Sequence, residues 1–383
     1  MPLRIAFDAR RIGDFGIGTY IRNLIHALAE IDHENNYILI AARRGEPELL
    51  NLPPNFNIVE YQRPDTDWVN NFSFFFFLRE LSVDLVHAPV NTVPLLMPRP
   101  YVVTIHDMSS LIYGADRHGH RFRQYMFKRG LERAARIIAV SAATRRDVEN
   151  ILGIPADRIR QIYDAPDPRF LEPRRSGDGA ESARQRILER YQINHPFLLY
   201  AGAVRPQKNI PRLVEAFAVL RNDLERHPVY KDLRLIIIGD EISRYPAVRR
   251  SVNKTRMENY VRFLGFVPFE TLRAFFEAAS AFVFPSLYEG FGLPPLEAMA
   301  SGTPVVTSHV SSLPEVVDQA AMFVNPENVF DIARGIREVL LDDDLRAQRV
   351  RGGYEQARRF SWNKTAAEVL EIYREVAQSR GRS

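Results

Sequence analysis

SLYEGFGLPPLEAMASGTPVV, residues 286–306, is the stretch on which the reading of this chain turns. The apolar run Ala281–Pro285 before it has the look of a buried strand, and Leu296–Ala300 after it that of a helix. Between them lie Gly290 and Gly292, flanked by the carboxylates Glu289 and Glu297. A glycine-bearing loop that opens a helix offers unpaired backbone N–H groups and the positive end of a dipole, which suits a diphosphate. Pro294 and Pro295 fit the first turn, where no backbone N–H is needed. Alone, such a loop is also what an ordinary tight turn looks like, so the rest of the chain has to decide.

Working outward, apolar strands alternate with helices on both sides. The first half reads as strands at Leu3–Asp8, Tyr37–Ala42, Ile58–Tyr61, Val83–His87, Tyr101–His106 and Ile137–Val140. Ile21, Leu24, Ile25 and Leu28 give the helix Gly18–Ile31 one apolar face, and a second helix is expected from about Asp67 to Leu81. A second series follows at Phe197–Gly202, Leu233–Gly239, Val261–Leu264, Ala281–Pro285 and Pro304–Thr307. Such alternation predicts doubly wound parallel sheets, in which ligands sit beyond the carboxyl ends of strands. Two domains suit a chain of 383 residues. The polar run EPRRSGDGAESARQR, residues 172–186, suggests the boundary: 1–171 and 193–360 as domains, 172–192 as linker and 361–383 as a last helix.

Composition excludes several classes. Apolar content of 46% and charged content of 26% are ordinary for a globular chain, and a net charge of +4 is too small to argue for nucleic acid. With no cysteine there is neither a disulfide framework nor thiolate chemistry. The opening MPLRIAFDARRIG reads as a first strand and not as a signal peptide, so a cytoplasmic protein is expected. Gly13, Gly16 and Gly18 do not follow the order of dinucleotide binders, which disfavours a nicotinamide cofactor. The strings Asp65-Thr66-Asp67 and Asp342-Asp343-Asp344 precede expected helices, where aspartate caps a first turn, and no metal site is expected of them.

Arg205 and Lys208 in GAVRPQKN, residues 202–209, stand at a strand-to-helix turn where each could make charge-assisted bonds to a diphosphate. Residues 117–136 hold seven basic side chains against Glu132, with Phe122, Tyr125, Met126, Phe127 and Leu131 among them. That stretch reads as a solvated helix face over core contacts, or as a surface for anionic lipid at the inner face of a membrane. Phe72 and Phe74–Phe77 are expected to pack a helix.

Glu-x7-Glu around Gly-Phe-Gly-Leu-Pro, followed by Ala-x2-Ser-Gly-Thr-Pro-Val-Val, resembles the signature of retaining glycosyltransferase family 4. The resemblance implies the GT-B architecture, two Rossmann-like domains facing across a cleft, with the last helix crossing back to the first. It implies a metal-independent hexosyltransferase with no cofactor, its donor a nucleotide-sugar and its acceptor a glycan, a lipid-linked glycan or a small molecule. By the same resemblance Glu289 and His106 take the catalytic positions, and Gly16 and Gly18 form a glycine loop near donor phosphate and acceptor. Lys208 matches the family's lysine; the family's arginine follows the glycine directly, where Ala203 stands here, so Arg205 would substitute from a shifted position. The N–H groups of Gly290, Phe291, Gly292 and Leu293 would complete the diphosphate site. Gly239, Phe266 and Val267 would line the base, and Glu297 would hold the ribose. The GAVRPQKN segment looks like bacterial O-antigen and exopolysaccharide enzymes, which favours GDP-mannose over a UDP-sugar. A catalytically silent partner subunit of the same fold is the rival reading.

Overall fold

In the computed structural model all residues are described except 1, 15, 44, 64–68, 91–92, 95, 115–119, 173–177, 240–244 and 381–383; the side chains of 71, 120–123, 178–180 and 380 are also left aside. The chain divides into two units, residues 1–165 with 361–383, and residues 166–360.

The first unit is built on β1 (Arg4–Asp8), β2 (Asn36–Ala41), β3 (Phe56–Glu60), β4 (Leu85–Ala88), β5 (Tyr101–Ile105), β6 (Arg136–Ala139) and β7 (Ile159–Gln161). They form one parallel sheet in the order β3-β2-β1-β4-β5-β6-β7. Helices on both faces explain why its strands read as continuous apolar runs. Ile5, Ala6 and Phe7 of β1 are fully buried, as are Ile21, Leu24, Ile25 and Leu28 of the helix Ile17–Ile31.

The second unit carries β8 (Phe197–Ala201), β9 (Arg234–Ile238), β10 (Val261–Gly265), β11 (Ala281–Phe284), β12 (Val305–Ser308) and β13 (Met322–Val324). Its parallel order is β10-β9-β8-β11-β12-β13, the order of a dinucleotide-binding sheet. In each sheet the order reverses once, between β1 and β4 and between β8 and β11.

The division falls after Ala165, earlier than the boundary expected at 171. The reason is packing: Phe170 lies 4.8 Å from Phe269 and 5.5 Å from Phe276, so the chain after Pro166 is already part of the second unit. The stretch expected as linker, 172–192, contains the helix Asp178–Arg190, whose Arg184 pairs with Glu277 at 3.5 Å. β7 and β13, three residues each, have no counterpart among the expected strands. The phenylalanines at 72–77 divide: Phe74 is buried in the helix Asn70–Glu80, whereas Phe72 and Phe76 stay exposed. Among the described residues no helix is long and apolar enough to cross a membrane.

The last helix, Trp362–Arg380, belongs to the first unit. Val369 and Ile372 bury its apolar face, and Thr365 Oγ1 donates to the carbonyl of Tyr163 at 2.7 Å. Deeper in, a run of shared hydrogen bonds joins four elements. Tyr373 Oη meets His87 Nδ1 at 2.5 Å, His87 Nε2 meets Thr104 Oγ1 at 2.8 Å, and Thr104 meets Tyr20 Oη at 3.0 Å. All four side chains are buried, so each polar atom depends on its neighbour. Tyr373→Phe would strand the His87 nitrogen away from water at a cost of about 1–3 kcal/mol. The expected outcome is a lower urea midpoint for Tyr373→Phe; an unchanged midpoint would show that the bond contributes nothing.

Candidate active site

The carboxyl ends of β8 and β11 hold the centre of the site. β8 runs into Gly202, a short turn at Pro206–Lys208 and the helix Ile210–Asp223. β11 runs into Pro285–Gly292 and the helix Leu293–Ala300. The two loops are bonded to each other, the N–H of Leu287 donating to the carbonyl of Gln207 at 2.7 Å. Asn209 fastens them further: its Nδ2 donates to Pro285 O at 3.0 Å and to Pro326 O at 2.7 Å. It does so from a left-handed backbone (φ 61°), a conformation asparagine tolerates better than most residues.

That framework brings Lys208 and Glu289 together. Lys208 Nζ donates to both carboxylate oxygens, at 2.6 and 2.8 Å, and lies 5.3 Å from the centre of the Phe284 ring. The side chains are only 17% and 9% exposed, so the pair is poorly screened by water. The main chain of Glu289 is held as well: Ser311 Oγ donates to its carbonyl at 2.5 Å, and Ser312 Oγ lies 3.0 Å from that carbonyl and 2.7 Å from Phe291 O. Gly292 opens the following helix with φ 110°, a left-handed conformation that glycine alone adopts cheaply. The side chains of Phe291 and Leu293 are buried. Glu297, half-buried, stands one turn into the helix.

Arg205 is placed differently. Its guanidinium hydrogen-bonds the Tyr245 hydroxyl and stacks 5.7 Å from that ring, on the side of the loop after β9. Tyr245 is absent from the site expected from the sequence; a separation of 40 residues along the chain conceals the contact. Gly239, at the end of β9, is set by close approach, since a Cβ there would stand 2.1 Å from Gly202 O. Beside it Phe266 is exposed and Val267 buried.

In the first unit, Gly16 (φ 70°) caps the helix Ile17–Ile31, and a Cβ on Gly18 would meet Ile12 O at 2.2 Å. His106 follows β5, its Nε2 3.1 Å from Pro89 O. A carbonyl only accepts, so Nε2 carries the proton and Nδ1 the lone pair. The Tyr20 ring stands edge-on to it at 4.8 Å. Burial among these groups pushes the imidazole down to about 4, against the smaller upward pull of the Pro89 bond and Asp107. Desolvation takes His87 down to about 3. Asp8, the end of the first expected strand, forms with Arg10 a buried two-bond pair at the end of β1 (2.6 and 2.8 Å), with Phe74 under the guanidinium at 4.2 Å.

The remaining expectations resolve as follows. Asp342 accepts from the N–H of Leu345 and caps the helix Asp343–Ala357, while residues 65–67 lie outside the described residues. Among the described residues no group of three potential metal ligands gathers. Residues 117–119 of the basic stretch also lie outside them. Of its helix, His120–Arg133, Phe127 and Leu131 are buried and Tyr125 and Arg129 exposed.

Residues 16–170 match the family model described as Glycosyltransferase Family 4, and residues 184–356 the one described as Glycosyl transferases group 1. O-antigen chain mannosyltransferase B of Escherichia coli is 34% identical over 303 residues, covering 78% of this chain and 76% of that protein. The serotype-specific mannosyltransferase WbdA of Escherichia coli is 31% identical, over 74% of this chain but only 34% of its own length. Among solved structures, sucrose-phosphate synthase from Thermosynechococcus elongatus superposes with a TM-score of 0.77 at 20% identity, over 98% of this chain and 100% of that one. Anabaena HepE in complex with UDP-glucose gives 0.77 at 17%, over 97% and 100%. Two Rossmann-like parallel sheets, together with these family models and relatives, thus define a glycosyltransferase of the GT-B fold. The chain belongs to glycosyltransferase family 4.

Because both folded histidine values lie below the ordinary 6.5, His87 and His106 should stay neutral where a free histidine charges. Their neutral forms stabilise the fold above that value, and the contribution fades as pH falls from it toward 4. In long-range 15N spectra both rings should remain neutral from pH 8 down to about 5, His106 as the Nε2–H tautomer. A midpoint near the free value in either ring would refute the buried-neutral assignment.

Proposed function

We propose that the protein is a retaining mannosyltransferase that moves mannose from GDP-mannose to a glycan acceptor, free or lipid-linked, in the building of a bacterial-type polysaccharide. The carrying observation is the Lys208–Glu289 pair at the switch point of the second sheet, beside the N-terminus of the helix Leu293–Ala300. The relative sharing 34% identity, named as a mannosyltransferase, supports the choice of sugar.

In this reading the diphosphate is the leaving group, and rate depends on stabilising the charge that grows on it. Lys208 and the N–H groups from Gly290 to Leu293 supply that stabilisation, with the helix dipole behind them. Arg205 reaches the phosphates by turning from Tyr245. Glu289 binds the sugar's hydroxyls and faces the oxocarbenium-like state. The acceptor hydroxyl attacks on the face from which the diphosphate departs: the C1–O bond to the diphosphate breaks as the new C1–O bond forms, and the hydroxyl proton passes to the departing diphosphate oxygen, so configuration is retained without a covalent intermediate. The loops at Gly239 and at Phe266–Val267 take the base through backbone groups, and Glu297 accepts bonds from the ribose hydroxyls. His106, neutral, offers Nδ1 as an acceptor for a hydroxyl of the transferred sugar. With a lipid-linked acceptor, Tyr125 and Arg129 on the exposed face of their helix would meet anionic headgroups.

Incubation with GDP-mannose, UDP-glucose and other nucleotide-sugars, each with oligosaccharide acceptors and read by mass spectrometry, tests the reading. Mannosylated product from GDP-mannose is expected, α-configured by NMR and formed undiminished in EDTA. Consumption of none of the donors would favour the silent partner subunit, and inverted product or loss of activity in chelator would overturn the mechanism. Separately, Lys208→Ala should weaken GDP binding by about ten- to a hundredfold, the loss of one charge-assisted bond of roughly 1.5–3 kcal/mol. Unchanged calorimetric affinity would remove Lys208 from the phosphate site.

A further inference from the structure

The two groups assigned to different halves of the donor hold each other. Both oxygens of Glu289 are taken by the Lys208 ammonium, at 2.6 and 2.8 Å. While this pair is closed, the cation meant for the diphosphate is neutralised, and so is the carboxylate meant for the sugar. The backbone cannot relieve the conflict cheaply. Glu289's carbonyl is fixed by Ser311 and Ser312, and the two loops are bonded between Leu287 and Gln207. Only the side chains can turn.

Building on the nucleotide-sugar reading, we infer that Glu289 is an internal occupant of the diphosphate subsite, and that the donor binds by exchange. The incoming diphosphate takes Lys208, and the displaced carboxylate turns to the hydroxyls of the sugar. The exchange gives the site a preference that neither residue has alone. A complete nucleotide-sugar returns partners to the released carboxylate. A bare nucleoside diphosphate does not: it leaves an unpaired, poorly hydrated carboxylate beside a second anion, which is unfavourable. Glu289 therefore weakens the hold on the spent nucleotide after the sugar has left, and return of the ion pair assists product release.

The test is calorimetry with GDP and UDP on the full chain: wild type, Glu289→Gln, Glu289→Ala, Lys208→Ala and the Lys208→Ala/Glu289→Gln double variant, each with a melting curve. Removing the internal competitor should tighten the nucleotide that wild type binds by about three- to tenfold in both Glu289 variants. The gain should vanish when Lys208 is absent. Two separate replacements keep the test open if one fails to fold. Wild-type binding that is unchanged or weakened in the folded Glu289 variants would overturn the exchange while leaving the nucleotide-sugar reading intact. A gain that persists without Lys208 would overturn it too, because the competition would then not be for that ammonium. Failure of both nucleotides to bind wild type and every variant would bring down the nucleotide-sugar reading and the exchange with it.

Discussion

The second unit depends on one constraint: where a parallel sheet reverses its strand order, the loops beyond two neighbouring strands part toward opposite faces and leave a crevice. In this chain the crevice lies beyond β8 and β11, and the residues around it are arranged to keep its two sides in register. Asn209 reaches to carbonyls of the loops after β11 and β13, at Pro285 and Pro326. Glycine at 239 lets β9's end come against Gly202. The Lys208–Glu289 pair joins the loop after β8 to the loop after β11, and these two strands lie side by side in the sheet. The ion pair is thus a consequence of sheet register, not its cause.

Nor is the pair well explained by stability. Two charges removed from water regain by mutual attraction only about what they lose in hydration, and apolar residues of similar volume often fold as well. The unit already has a dense apolar core around it, with Phe282, Phe284 and Leu296 fully buried. A lysine and a glutamate at this point are better accounted for by chemistry: each is a group that another ligand could take.

Much of this was legible in the sequence, for identifiable reasons. Strands covered on both faces are apolar throughout, so β1, β5, β8 and β11 announce themselves. Glycines that must be glycine, such as Gly18, Gly239 and Gly292, mark the loops that approach ligands or backbone. What could not be read is long-range or short. β7 and β13 are three-residue edge strands without a periodic signal. Arg205 shows its charge in the sequence but not its Tyr245 partner, and Asp8 shows its place at a strand's end but not its buried pair with Arg10. The unit boundary was misplaced because Phe170 sits in a polar-looking neighbourhood whose aromatic partners, Phe269 and Phe276, are about a hundred residues away.

Taken separately, the two units present different electrostatics at the carboxyl ends of their strands, and the difference suits different ligands. In the first unit the charges are cancelled or suppressed. Asp8 and Arg10 neutralise each other through two bonds, and His87 and His106 are held neutral by burial. Burial raises the carboxyl of Asp164, beyond β7, well above its ordinary value, and among the described residues its Oδ1 has no hydrogen-bond partner. Of these groups the half-buried His106 can meet a hydroxyl as a neutral donor or acceptor, exchanging one hydrogen bond for another with little electrostatic cost. It would hold an anion poorly. In the second unit Lys208 stands beside a helix N-terminus beyond the sheet while Arg205 turns to Tyr245, and the countercharge on Lys208 comes from the side chain of Glu289. That arrangement favours a diphosphate. The same strand order therefore carries two different sets of side chains at the carboxyl ends of the two sheets.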